Sequence, residues 1–223
     1  MFRYFALLGF CGLAFAETPI PDSIPRTPAS LNSDELKGFA ENPPAVCALL
    51  EECLALTKQN LGYKYGSSDP AQGGMDCSGT IYYVLQKRGL KDVPGTASEQ
   101  YVWARKEDNF EAVISKKKDS FELDALRPGD LLLWTGTYST DRDPPVSHTM
   151  IYLGKRKSDG KQVMFGASDG RSYDGRKIWG VSVFDFVLPK AVKKPPAGGT
   201  AAPGSVFIGY ANIPGLDLSP EPN

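Results

Sequence analysis

Helix-like patterns fill the first half of this chain and strand-like patterns the second. That order predicts an α+β fold, with N-terminal helices packed on a central antiparallel sheet of about five or six strands. The two kinds of pattern do not alternate, so a parallel sheet built from β-α-β units is not expected. Composition agrees: 223 residues, 41% hydrophobic and 23% charged, suit one ordinary globular core.

Met1-Phe2-Arg3 precedes an apolar run from Tyr4 to Phe15, and Ala14-Phe15-Ala16 has a small-x-small cleavage pattern. Residues 1–16 therefore read as a secretory signal peptide cut near Ala16, with export to the periplasm or beyond. The run is shorter than the roughly 20 residues a spanning helix needs, so no integral membrane span is expected in the mature chain. Cys11 follows the bulky Phe10, which argues against lipid attachment there.

Pro19, Pro21, Pro25 and Pro28 predict an extended, poorly packed arm over 17–30. A single domain over 31–215 and a C-terminal tail at 216–223 complete the division. Asn32 with Glu35 suggests a capped helix start, and a helix from about Ala45 to Asn60 is ended by Leu61-Gly62. Tyr63-Lys64-Tyr65-Gly66 leads into a Ser-, Gly- and Asp-rich loop through Gly74. A helix beginning near Cys77 carries Ile81, Val84 and Leu85 at helical spacing and stops at Gly89. Thr96 and Glu99 form a capping box for a short helix to about Lys106.

Arg127-Pro128-Gly129-Asp130 reads as a turn, and strands are then expected at 131–134, 148–153, 162–166, 181–184 and 206–210. The last follows a Pro-, Gly- and Ala-rich stretch at 195–204. A formal net charge of −1, with Lys116-Lys117-Lys118 as the one compact basic run, offers no field that would attract nucleic acid. The chain is expected to act as a monomer.

Three cysteines, Cys47, Cys53 and Cys77, would remain after export. Cys47 and Cys53 lie six residues apart on one predicted helix, about 9 Å along the standard rise, too far for a bridge. They read as buried helix cysteines unless the helix breaks. Without a Cys-x-x-Cys pair or a second histidine, neither a metal nor another cofactor is expected.

Cys77 would sit at a helix mouth, where partial positive charge lowers a thiol pKa and main-chain N–H groups can meet an oxyanion. Gly79 would keep bulk away from an approaching carbonyl. His148, the sole histidine, opens a strand 71 residues later (148 − 77). A cysteine on a helix end facing a histidine on a sheet is the arrangement of papain-type nucleophilic catalysis.

Together, Tyr63-Lys64-Tyr65-Gly66, Asp76-Cys77-Ser78-Gly79, Arg127-Pro128-Gly129-Asp130-Leu131-Leu132 and Ser147-His148-Thr149-Met150-Ile151-Tyr152-Leu153-Gly154 resemble the NlpC family of papain-like bacterial cell-wall cysteine peptidases. The resemblance covers about residues 45–212 and implies a papain-like fold. It makes Cys77 the nucleophile, His148 the base and Tyr63 the oxyanion-site hydroxyl, with Tyr65 as second choice. Asp76 and Ser78 match positions near a substrate amine. The family's third polar residue falls on Gly166, which has no side chain to orient an imidazole. Asp169 or Ser168 would take that role, Asp169 first because a carboxylate stabilises the imidazolium better.

The implied activity is hydrolysis of an amide bond in peptidoglycan stem peptides, next to D-glutamate and diaminopimelate, through a thioester. Acyl transfer to another acceptor, or a wall-peptide binding protein with a decayed triad, stay open. Ser168 and Arg171 join Asp76, Ser78 and Tyr65 as substrate contacts, and Arg171 or Arg176 is expected to meet a stem-peptide carboxylate. The segment from Thr137 to Ser147 is expected to wall the cleft.

Overall fold

In the computed structural model, residues 27–106, 109–117, 119–188 and 204–219 are described. The expected signal peptide at 1–16, most of the arm and most of the stretch at 195–204 lie outside the described residues. The described end of the arm is packed: Ala29 is buried, its N–H reaches Ser182 Oγ at 2.8 Å, and its carbonyl accepts from Val183 at 2.9 Å. Sheet-edge hydrogen bonds thus hold this end of the segment at Ala29.

Helix α1 spans Pro44–Thr57, with proline at its first turn. It ends three residues earlier than expected because Asn60 adopts φ +54°, a left-handed turn available to asparagine. Cys53 is fully buried on α1, whereas Cys47 is half-buried with its sulfur 3.2 Å from the Phe39 carbonyl oxygen. Helix α2 spans Cys77–Lys87 and buries Ile81, Val84 and Leu85 as the spacing predicts. Helix α3 spans Ala97–Lys106; Thr96 Oγ1 accepts the Glu99 N–H at 3.3 Å and donates to the Glu99 carboxylate at 2.8 Å.

The strands are β1 (Gly62–Tyr63), β2 (Gly74–Met75), β3 (Phe110–Ala112), β4 (Leu131–Thr135), β5 (Val146–Lys155), β6 (Gln162–Ser168), β7 (Ser172–Tyr173), β8 (Arg176–Lys177), β9 (Gly180–Asp185) and β10 (Val206–Ala211). Six form one antiparallel sheet in the order β3-β10-β4-β5-β6-β9. The predicted α+β architecture is therefore present. Leu131, Leu132, Leu133 and Trp134 are all solvent-inaccessible, which is why β4 reads as a continuous apolar run. Helices α1 and α2 contact β6, with α2 also on β5 and α1 on β9. Trp134, Tyr152, Phe186 and Phe207 form an aromatic cluster with ring centroids 5.0–6.5 Å apart.

One feature of the sheet prepares the site. Pairing between β5 and β6 runs from Lys155–Gln162 to Ile151–Phe165 and ends there. Both strands continue beyond that point, β5 back to Val146 and β6 on to Ser168. Just past it a Cβ at Gly166 on β6 would lie 2.9 Å from Met150 on β5, and α2 packs on both strands.

Arg156, near the β5 end, is buried among Asp159, Tyr173 and Asp174; its Nη1 lies 2.8 Å from Asp174 Oδ2. These bonds hold Asp159 and Asp174 below the usual carboxylate range. Tyr173 and Asp174 therefore serve this structural network.

Phe165, fully buried on β6, tests the central sheet: Phe165→Ala should cost about 3–5 kcal/mol in urea unfolding. A loss under about 1 kcal/mol would place Phe165 outside the core.

Candidate active site

Asp76 starts the site. As N-cap of α2 its Oδ1 accepts the Gly79 N–H at 2.7 Å, and its Oδ2 accepts the Gly66 N–H at 2.7 Å. One carboxylate thus ties the Tyr63–Gly66 segment to the helix mouth. Ser78 is buried, its hydroxyl 3.3 Å from Asp76 Oδ1 and its carbonyl accepting from Gln100 at 3.1 Å. Contrary to the expectation from sequence, Gly79 does not serve to clear a path for substrate. A Cβ there would lie 2.1 Å from the Ser67 carbonyl oxygen, so glycine permits the loop backbone to cross the helix.

Cys77 opens α2, which packs on β5 and β6. Its sulfur is 3.9 Å from the Ser147 carbonyl oxygen, and the main-chain N–H groups of Thr149, Ser78 and Cys77 point toward it. Burial, then the negative charge of Asp76, nevertheless pushes the thiol up to about 12. The helix mouth was expected to lower it; the same Asp that caps the helix opposes that effect.

His148 stands opposite Trp134 on β4, with ring centroids 5.6 Å apart. Its Nε2 accepts from Arg171 Nε at 3.1 Å, and the guanidinium carbon lies 4.2 Å from the Trp134 ring centroid. Burial, then the Arg171 charge, holds His148 well below the usual imidazole range. Burial also brings Arg171 down to about 10, still cationic at neutral pH. Among the described residues, no hydrogen bond joins Cys77 to His148.

The group at the imidazole is therefore Arg171, not the expected Asp169 or Ser168. Ser168 is buried, and its hydroxyl accepts the Arg171 N–H at 3.2 Å and the Gly170 N–H at 3.4 Å, closing the turn that aims Arg171. Asp169 is exposed on that turn. A Cβ at Gly166 would lie 2.9 Å from Met150 Cγ, so Met150, on the same face of β5 as His148, fills the space a third side chain would need. Arg176 is exposed on β8.

Two cavities meet here. One of about 400 Å³ is lined by Cys77, Asp76, Ser78, Tyr65, Tyr82 and Arg142; the other, of about 550 Å³, by His148, Ser168, Asp169 and Arg171. Tyr63 and Tyr138 line both. A further cavity of about 300 Å³, at the Arg127–Asp130 turn, holds neither Cys77 nor His148. Tyr63 packs edge-on against Trp179 at 5.9 Å, and burial raises its hydroxyl above the ordinary phenol range, keeping it an O–H donor. Tyr65 is 69% exposed at the rim, edge-on to Tyr138. Tyr138 and Arg142 belong to the expected wall from Thr137 to Ser147, which is pinned by Thr137 Oγ1 to Ser147 Oγ at 2.7 Å.

Sequence reasoning missed Trp134 as the platform for Arg171 and Thr149 as an N–H near the sulfur. Trp134 reads only as strand core, and a main-chain donor has no side-chain signature.

Residues 60–176, just over half of the chain, match the NlpC/P60 family model. The chain is 27% identical over 135 residues to a gamma-DL-glutamyl hydrolase of Bacillus subtilis strain 168, covering 57% of this chain and 27% of that protein. It thus spans about a quarter of that relative's length. Two solved structures are similar: an NLP/P60-family protein similar to lipoprotein from Staphylococcus aureus Mu50 (TM-score 0.42, 22% identity, covering 71% of this chain and 38% of that one) and an NlpC/P60 endopeptidase from Photobacterium damselae subsp. piscicida (TM-score 0.30, 14% identity, 60% and 30%).

The crossing at Gly79 makes a stability prediction. Gly79→Ala should lose about 1–3 kcal/mol or more in thermal unfolding, the cost of overpacking against backbone. Gly95→Ala, on the same cavity but with open space around its Cβ, should be near neutral.

Proposed function

The chain belongs to the NlpC/P60 family, and from that premise we propose that it is an exported cysteine endopeptidase of peptidoglycan stem peptides. The observation that carries this reading is the placement of Cys77 and His148 on adjoining cavities that share Tyr63 and Tyr138 as walls. The amide bond after D-glutamate, joining it to diaminopimelate, is the proposed target. The gamma-DL-glutamyl hydrolase of Bacillus subtilis, whose name specifies a glutamyl bond, supports that choice. A signal peptide at 1–16 would deliver the domain at 31–215 to the periplasm or beyond, where it would act as a monomer. No helix among the described residues is long and apolar enough to cross a membrane.

In this mechanism His148 takes the Cys77 thiol proton as the sulfur attacks the amide carbon. The oxyanion is met by the N–H groups at the α2 mouth and by the Tyr63 hydroxyl. The C–N bond then breaks while the imidazolium gives its proton to the leaving amine. Water, deprotonated by His148, attacks the thioester, and the sulfur departs and recovers a proton. Asp76 keeps lone pairs beyond those used by Gly66 and Gly79, and these would accept a substrate amine beside Ser78 and Tyr65. Acyl transfer would differ only in replacing that water by another nucleophile.

The high-pKa thiol and the bare Gly166 favour a second reading, a wall-peptide binding protein. Mass spectrometry of muropeptides incubated with the mature protein separates the two. Cleavage lost in Cys77→Ala and reduced about 10²–10⁴-fold in His148→Ala supports the peptidase; intact muropeptides retained by the protein support binding.

The lowered His148 pKa sets the pH dependence. Above the ordinary imidazole value of 6.5 the ring is neutral, and it stays so below that value. The acid limb of kcat/KM should therefore fall below pH 6.5, and a limb centred above it would contradict the resting geometry.

A further inference from the structure

We propose that Arg171 is a latch on His148 that a substrate carboxylate opens, so that the base is freed only by an acidic substrate. This rests on the peptidase reading and deepens it by naming the substrate group that the site requires. A neutral imidazole has one nitrogen lone pair, and here Nε2 spends it on the Arg171 N–H. The ring proton therefore sits on Nδ1, leaving no lone pair for the Cys77 proton. An imidazolium has no acceptor at all and would face the guanidinium as a second cation. The contact with Arg171 and proton acceptance by His148 exclude one another.

A carboxylate is the natural competitor. It pairs with a guanidinium through two charge-assisted hydrogen bonds, whereas the imidazole is a single neutral acceptor. A glutamate linked through its γ-carbonyl keeps its α-carboxylate free, so the proposed substrate carries the group beside its scissile bond. Arg171 is half-buried and lines the His148 cavity, within reach of a ligand there. Its main chain is held by Ser168 Oγ and by the Ile178 N–H on its carbonyl, so the side chain can swing while the turn stays. The Trp134 face gives the guanidinium its resting seat. The other titratable groups around His148 are Asp169, Tyr63 and Tyr138 on the cavity walls and Cys77 at the α2 mouth; none of these donates to Nε2.

The single histidine makes the test direct. In untagged protein carrying isotope-labelled histidine, nitrogen NMR should show a neutral Nδ1–H ring at neutral pH, with its titration midpoint below 6.5. An Nε2–H ring overturns the proposal. In Cys77→Ala, adding L-Ala-γ-D-Glu-diaminopimelate should perturb the ring nitrogens, while the same peptide with its glutamate α-carboxyl amidated should not; equal responses overturn it. Kinetics supply the second arm. Wild type should favour the free carboxylate by about 100-fold or more in kcat/KM. Arg171→Ala should cleave the amidated peptide about tenfold faster than wild type, because the latch is gone. If the variant merely loses activity on the free carboxylate and gains none on the amide, Arg171 is an anchor and the latch is wrong. Failure of wild type to cut either peptide counts against the peptidase reading, and the NMR arm then judges the latch alone.

Discussion

The Asp76 carboxylate holds the site together and also sets its temper. Its two oxygens take the Gly66 and Gly79 N–H groups, each at 2.7 Å, so loop and helix meet at one point. That point sets Cys77 against β5, its sulfur 3.9 Å from the Ser147 carbonyl oxygen, and Gly79 allows the Ser67 backbone to cross there. The same negative charge, after burial, keeps the sulfur protonated. Capping and nucleophile activation therefore pull in opposite directions at one residue.

His148 has a matching tension on the other side of the Tyr63–Tyr138 wall. A polar or acidic partner at its far nitrogen would favour the imidazolium; a guanidinium there disfavours it. With Met150 occupying the space beside Gly166, the partner comes from the following turn, and the residue it presents is a cation resting on Trp134. The free site is thus neutral at both the sulfur and the imidazole, primed by shape more than by charge.

Much of this was legible beforehand. Leu131 to Trp134 read as a strand because a fully buried run carries no polar interruption, and α2 could be placed because Asp, Cys, a 3.6-residue apolar period and Gly89 mark its start, face and end. The strand Phe110–Ala112 is not legible in the sequence because three residues, two of them exposed, carry too little pattern. At the described end of the arm, proline reports extension but says nothing of the sheet edge that Ala29 joins. The sequence places Arg171 after the third strand and Asp169 just beyond the Gly166 position, but it does not show which of the two side chains turns toward His148; in the structure it is Arg171.

By itself the sequence determined the fold class, the helix that presents Cys77 and the identity of the one available imidazole, because periodicity, capping residues and a lone histidine are local facts. Only the tertiary structure decided which side chain meets that imidazole and how burial shifts the thiol. Those outcomes depend on distances of a few ångströms between segments far apart in the chain, and on loss of water around them, neither of which residue order encodes locally.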